Sequence, residues 1–259
     1  MNNRKEQLKA FERLLDIMDD LREKCPWDRK QTFESLRHLT IEETYELGDA
    51  ILDNDKEEIS KELGDLLLHI VFYSKLGSET GDFDIATVAN QICDKLIHRH
   101  PHIYGDVEVA DENEVKSNWE AIKLKEGKGK NSVLEGVPSS LPALVKSRRI
   151  QDKVAGVGFD WEKPEQVKEK FEEELAELEV EVANGNLDAM EAEYGDVLFS
   201  LVNYGKHLGL NAEDALERTN KKFIKRFKYL ENEIKKANQK MTDLSLEELD
   251  VYWETAKKL

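Results

Sequence analysis

Two sets of acidic residues recur in this chain at one spacing: Glu42-Glu43-x-x-Glu46 followed by Glu62-x-x-Asp65, and Glu173-Glu174-x-x-Glu177 followed by Glu193-x-x-Asp196. Every member of the second set lies 131 positions after its counterpart, as Glu174 does after Glu43, which marks an internal duplication. Carboxylates three residues apart share a helical face. Two helices that each give such a pair can converge on a hard divalent cation. Magnesium suits that donor set best: it takes oxygen ligands in octahedral geometry, keeps several waters and binds together with phosphates. In a chain with 55 acids among 259 residues, a lone E-x-x-E reads as a solvated helix face. A duplicated set in one register does not. Calcium loops fit less well, because the acids lie in expected helices and lack the D-x-[DN]-x-[DN]-G order.

The duplication extends to other charged and aromatic residues. Lys95-Leu96-Ile97-His98-Arg99 is matched by Lys222-Phe223-Ile224-Lys225-Arg226, and Trp119-Glu120-Ala121-Ile122-Lys123 by Trp253-Glu254-Thr255-Ala256-Lys257. Each half therefore supplies acids on two helices, then a lysine and an arginine one turn apart, then a tryptophan. Such a lysine and arginine suit phosphate oxygens, the arginine bidentately and the lysine as a point charge. The halves differ at one telling place. Lys170 lies one turn before Glu174, but its counterpart is Leu39; His98 likewise stands opposite Lys225. The second half is thus expected to be the stronger catalyst. His98, His100 and His102 are spaced by two, which scatters them around a helix and favours a polar helix end over a zinc site. Gly127-Lys128-Gly129-Lys130 lacks phosphate-loop spacing and reads as a linker.

Positioning these residues requires helices. Only five prolines and fourteen glycines interrupt the chain, and the apolar spacing of Leu8, Phe11, Leu14, Leu15, Met18 and Leu21 predicts a helix near residues 8–23. Thr40 three residues before Glu43 reads as a capping box that opens a helix reaching Leu52. A second helix is expected over residues 56–76, apolar nearly all round from Leu63 to Tyr73 and so buried on most sides, with a turn from Gly77 to Asp84. Further helices are expected near 85–98 and 119–126. In the second half they fall near 141–155, from Pro164 to the Asn184-Gly185-Asn186 stop, and over 188–208, 212–236 and 245–257. After Pro164 the stripe Val167, Phe171, Leu175, Leu178, Val182 places Glu174 on the buried face, and Asp196 falls on a helix expected to be largely buried. The reading is all-α, with helical domains over 1–126 and 141–259 and a linker over 127–140.

The formal net charge of −17 argues against nucleic acid or an anionic membrane as partner. No run is long enough to span a membrane. Cys25 and Cys93 lack ligand-like spacing and the first residues carry no apolar leader, which fits a reducing cytoplasm.

The tandem E-E-x-x-E and E-x-x-D motifs, together with Cys25-Pro26-Trp27-Asp28, His98-Arg99-His100-Pro101-His102 and Val157-Gly158-Phe159-Asp160-Trp161, resemble the MazG family of nucleoside triphosphate pyrophosphohydrolases over essentially the whole chain. The resemblance implies an all-α fold associating as a homodimer. It also implies magnesium-dependent hydrolysis of ribo- and deoxyribonucleoside triphosphates to monophosphate and pyrophosphate, in a housecleaning or stress role. Carried over, Glu174, Glu177, Glu193 and Asp196 would hold magnesium in the second half, and Glu43, Glu46, Glu62 and Asp65 in the first. Glu173 and Glu42 are left to support those ligands or position water. Lys170, Lys222 and Arg226, with Lys95 and Arg99 in the first half, would meet phosphates such as those of ATP, and Trp253 and Trp119 would flank the nucleotide. Two alternatives stand beside this: a pyrophosphohydrolase narrow for one deoxynucleotide, and a nucleotide-sensing protein without turnover.

Overall fold

The computed structural model describes residues 3–111, 114, 115, 118, 119, 122 and 132–258. It is all-α, with no strand among the described residues, and it divides into two compact units, Met1–Trp119 and Glu120–Leu259. Most of the helix expected at 119–126, and residues 127–131 of the expected linker, lie outside the described residues; 132–140 form turns.

In the first unit α1 (Arg4–Lys24) and a short 3-10 turn (Asp28–Lys30) precede α2 (Phe33–Leu52), α3 (Lys56–Thr80), α4 (Ile85–Arg99) and the single-turn α5 (Pro101–Tyr104). Helices α2 and α3 form an antiparallel hairpin. The start of α2 meets the end of α3: Phe33 stacks on Tyr73 at 5.8 Å, and the Thr40 and Tyr73 hydroxyls are 2.7 Å apart. At this end sits the core, Met18, Leu36, Val71, Phe72 and Leu76, flanked by residues that include Leu39, Leu68 and Ile85. Toward the hairpin turn the inward positions become Glu43 and Glu62 instead.

The second unit repeats the hairpin. It comprises α6 (Ala143–Ala155), α7 (Pro164–Asn184), α8 (Leu187–His207), α9 (Ala212–Lys236), a 3-10 turn (Met241–Asp243) and α10 (Leu246–Ala256). Pro164 opens α7, Gly185 closes it at φ 71°, and Asn186 caps α8. Gly185, like Gly81 at the end of α3 (φ 75°), uses the left-handed conformation that only glycine adopts without strain. The interior is partly polar: Gln151, Ser200 and Asn203 are buried beside Val197 and Val202. Gln151 Nε2 donates to the Phe199 carbonyl at 2.8 Å.

Five expectations need correction. Thr40 does not open α2; the capping box is Thr32 with Ser35, where each side chain accepts from the other's backbone N–H at 3.2 and 2.8 Å. Serine does at the third position what glutamate was expected to do, so the helix begins eight residues early. Gly77 is not in a turn but buried within α3, which runs on to Thr80 and stops at Gly81. Helix α3 is not covered all round, because Leu63, Leu67 and Ile70 form an exposed stripe. The stripe expected on α7 also divides. Val167 and Glu174 are buried, whereas Leu175 and Val182 are exposed, the inward face having rotated to include Lys170. On α8, Asp196 is exposed.

Gly77 is where the chain leaving α3 folds back against the helix: a Cβ there would lie 2.7 Å from Phe83 Cε2 and 2.8 Å from the Phe83 carbonyl oxygen. Gly77→Ala is therefore expected to destabilise the first unit by about 1–3 kcal/mol, the usual cost of overpacking. Thermal or denaturant unfolding measures it, and an unchanged midpoint would contradict this packing.

Candidate active site

In the first unit Glu43 of α2 and Glu62 and Asp65 of α3 each place a carboxylate oxygen within 4.8 Å of the others. The hairpin geometry causes this, since the two α3 acids are three residues apart and Glu43 faces them from the antiparallel neighbour. Glu62 is only 5% exposed, and its Oε2 has no hydrogen-bond partner. Burial first, then the charges of Glu46 and Glu43, push its carboxyl up to about 7, with Glu58 adding to the effect. An unpaired buried oxygen among acidic neighbours is the environment that a cation relieves. These donors, all hard oxygens, fit a divalent cation such as magnesium.

The second unit gathers Glu174 and Glu177 of α7 with Glu193 of α8, again within 4.8 Å of one another. Glu174 is buried, Glu193 half-buried and Glu177 exposed. The equivalents Glu43/Glu174 and Glu62/Glu193 occur in both groups, while the third member differs, Asp65 in one and Glu177 in the other. Asp196 and Glu46 stand outside these triads. Partial burial, then Glu174 and Glu193, raise the Glu177 carboxyl. A cation is built into this site. Lys170 Nζ lies 2.9 Å from Glu174 Oε1 and 3.0 Å from Glu173 Oε1, and these two bonds, Glu174's first, raise its ammonium. Leu39, at the matching place in the first unit, packs against the core. Glu42 is exposed.

The remaining expected residues lie on the later helices. Lys222 is exposed and Arg226 half-buried on α9, which packs against α6 and α8. Trp253 of α10 meets Phe223 at a centroid distance of 4.9 Å, and Phe223 stacks on Phe227 at 6.0 Å. Lys95 is exposed on α4, and Arg99 ends that helix. The three histidines fall at the α4–α5 junction. His100 contacts His102 at 5.5 Å and Trp119 at 5.0 Å, while its Nδ1 donates to the Leu96 carbonyl at 2.6 Å. The tryptophan that meets a phenylalanine in one unit thus meets an imidazole in the other.

The sequence motifs hid two anchors. Asp160, in the turn between α6 and α7, bonds Lys206 at 2.5 Å and His207 at 3.0 Å at the end of α8. Burial opposes its ionisation, but those hydrogen bonds outweigh burial and hold the carboxyl below its usual range. In the first unit Arg22 joins Glu79 Oε1 at 2.7 Å and the backbone carbonyl of Asp28. The detectable signal was the aspartate in each turn motif; the partners of Asp160, 46 and 47 positions away, and the pairing of Arg22 with Glu79, 57 positions apart, were not readable. Buried His69, with its Nδ1 unpartnered, was also unforeseen.

The sequence matches the family model described as the MazG nucleotide pyrophosphohydrolase domain twice, over residues 31–104 and 162–230. Those spans contain both acid sets, Lys170 and both lysine–arginine pairs, but neither Trp119 nor Trp253. The chain is 40% identical over 258 residues to the nucleoside triphosphate pyrophosphohydrolase of Escherichia coli strain K12, covering 97% of this chain and 98% of that one. It is 44% identical over 250 residues to the nucleoside triphosphate pyrophosphohydrolase/pyrophosphatase MazG of Thermotoga maritima, covering 95% of each. An uncharacterized protein of Bacillus subtilis, YabN, is 42% identical over 236 residues, which is 90% of this chain and 48% of that one.

Because the folded Glu62 carboxyl titrates near 7, above an unfolded glutamate, the folded state binds more protons between the two values. Its contribution to stability is present at low pH and lost as pH rises toward about 7. Glu62→Gln removes that loss. Without divalent metal, the variant is expected to melt higher than the parent at neutral pH and above, with the gap opening as pH rises from the ordinary carboxylate range. Melting curves in EDTA across pH test this, and a variant that melts lower at pH above 7 would refute it.

Proposed function

The chain belongs to the MazG nucleotide pyrophosphohydrolase family, whose domain it carries twice, and from that premise we propose that it hydrolyses ribo- and deoxyribonucleoside triphosphates to monophosphate and pyrophosphate with magnesium. The observation that carries the proposal is the second acid group, three carboxylates within 4.8 Å with a lysine bound to one of them. Acids for a cation and a lysine for phosphate stand side by side there, as cleavage of a metal–triphosphate requires.

Glu174, Glu177, Glu193 and Asp196 would hold magnesium in this unit, and Glu43, Glu46, Glu62 and Asp65 in the first. Magnesium bound there supplies Lewis-acid polarisation of phosphate oxygens. Lys170, one turn from Glu174, donates to an oxygen of the bound phosphates. Lys222 and Arg226 take the β and γ phosphates, Arg226 in fork geometry. Glu173, released from Lys170, accepts a hydrogen bond from a water directed at the α-phosphorus, in line with departing pyrophosphate. Fixed charges of this kind act without reorganising as negative charge develops. Trp253, backed by Phe223, flanks the nucleoside. Lys95, Arg99 and Trp119 are the matching set of the first unit, which lacks a Lys170. Broad use of nucleotides in the cytoplasm, as a housecleaning activity, accords with these contacts, which engage phosphates rather than base edges.

We also propose a homodimer. The exposed stripe Leu63, Leu67, Ile70 on α3 recurs 131 positions later as Tyr194, Leu198, Leu201 on α8, each residue between 38% and 56% exposed. Gly64 and Gly195, beside the stripes, have no atom within 4 Å of a notional Cβ. A glycine inside a helix costs about 1 kcal/mol relative to alanine. Two at the same repeat position accord with a neighbour that approaches the backbone closely.

Two measurements test these readings. Glu193→Gln with Asp196→Asn should remove most pyrophosphate release, whereas Glu62→Gln with Asp65→Asn should remove little. A missing charge-assisted phosphate contact is worth about 1.5–3 kcal/mol, so a difference of roughly tenfold to a hundredfold is expected between the units. The opposite ranking would overturn the assignment. For assembly, light scattering at micromolar concentration should give twice the chain mass, and Leu67→Glu with Leu198→Glu should reduce it toward the monomer. A monomeric parent that retains activity would rule out the dimer.

A further inference from the structure

The two acid groups differ in whether the chain supplies its own counter-charge. In the second unit Lys170 already occupies Glu174 Oε1 at 2.9 Å, one residue of the triad, and ties Glu173 at 3.0 Å. In the first, among the described residues, no lysine or arginine is paired with Glu43, Glu62 or Asp65. Lys61, adjacent to Glu62, is engaged by Glu58 at 2.9 Å and Glu57 at 3.8 Å instead. Leu39 packs into the core where Lys170 would stand, and Glu62 Oε2 is buried without a partner.

Resting on the function proposed above, we infer that Lys170 is a resident counter-ion: the second unit takes a divalent cation only together with a nucleotide's phosphates, whereas the first takes the cation alone. The physical ground is competition for one carboxylate. A divalent ion approaching Glu174 meets an ammonium already hydrogen-bonded to it, and the two cations repel across a few ångströms. The triphosphate brings enough negative charge for both. Its oxygens accept Lys170, which frees Glu174 and Glu173, and they coordinate the same cation as the acids do. Cation and nucleotide thus bind the second unit cooperatively, and by linkage each strengthens the other equally. This protects the second unit from idle loading. The first unit has nothing to displace, and its unpaired Glu62 gains from the cation directly.

The experiment is a Mn²⁺ titration of the full chain, read by electron paramagnetic resonance of the free ion, with and without a triphosphate whose α and β phosphorus atoms are joined by methylene. Without nucleotide, tight binding should be abolished by Glu62→Gln with Asp65→Asn and kept by Glu193→Gln with Asp196→Asn. The analogue should add a second class of site, lost in the latter pair. Lys170→Met should create that second class without nucleotide, at least about tenfold tighter than in the parent. Lys170→Arg, which keeps the charge, should restore the nucleotide requirement. Circular dichroism would establish that each variant is folded. The inference is overturned if the parent's second site fills with Mn²⁺ alone as readily as the first, or if Lys170→Met leaves its nucleotide-free affinity unchanged. If Lys170→Met has no such effect but the Glu193/Asp196 pair still loses analogue-dependent Mn²⁺ and pyrophosphate release, the counter-ion role fails and the proposed function stands. If neither acid pair alters Mn²⁺ binding under any condition, both fail together.

Discussion

Carboxylates crowded into the middle of a helical hairpin repel one another, and each unit is arranged around that repulsion. Three acids within 4.8 Å, some with little access to water, oppose the packing that holds their helices together. The apolar side chains of the first unit are accordingly gathered at the other end of the hairpin, around Met18, Leu36 and Phe72. Asp55, at the start of α3, caps the hairpin turn through its side chain, with hydrogen bonds of 3.1 Å from the Glu57 and Glu58 amides. Order at both ends holds acids in the middle where neither end would place them.

The units answer the repulsion differently. One ties a lysine into the acid group, and the other leaves a glutamate poised near neutrality. Both retain the same backbone frame: capped hairpin, left-handed glycine or tight turn, and a following helix with a lysine and arginine one turn apart. What varies is the chemistry of single positions on that frame, including the ring that meets the tryptophan, His100 in one unit and Phe223 in the other.

Much of this was readable from residue order. The acid groups were legible because charge at helical spacing is a strong local signal, and repetition removed the ambiguity of any one copy. Boundaries set by Pro164 and Gly185 were legible for the same reason, since each residue acts on the backbone beside it. Features that depend on how segments pack, or on an unexpected partner, were not. Gly77 resembles a turn residue until Phe83 is seen against it; the Thr32 box was overlooked because serine replaced the glutamate sought; and the inward face of α7, which takes in Lys170 and leaves Leu175 exposed, does not follow the order of apolar residues in α7. The anchor from Asp160 to Lys206 and His207 joins segments far apart in sequence.

Leu39 carries a consequence for descent. Two copies of one hairpin, set 131 positions apart, began from a single ancestor with one residue at this place, and they now hold a leucine within a packed core and a lysine within an acid group. A lysine placed at position 39 would stand one turn before Glu43 and could reach it, but its stem would have to fit where the branched leucine packs against the core around Met18, Leu36 and Phe72. Neighbours that grew to fit leucine act as a ratchet. Divergence between the copies, once packed in, is costly to undo by one substitution, so each is free to specialise.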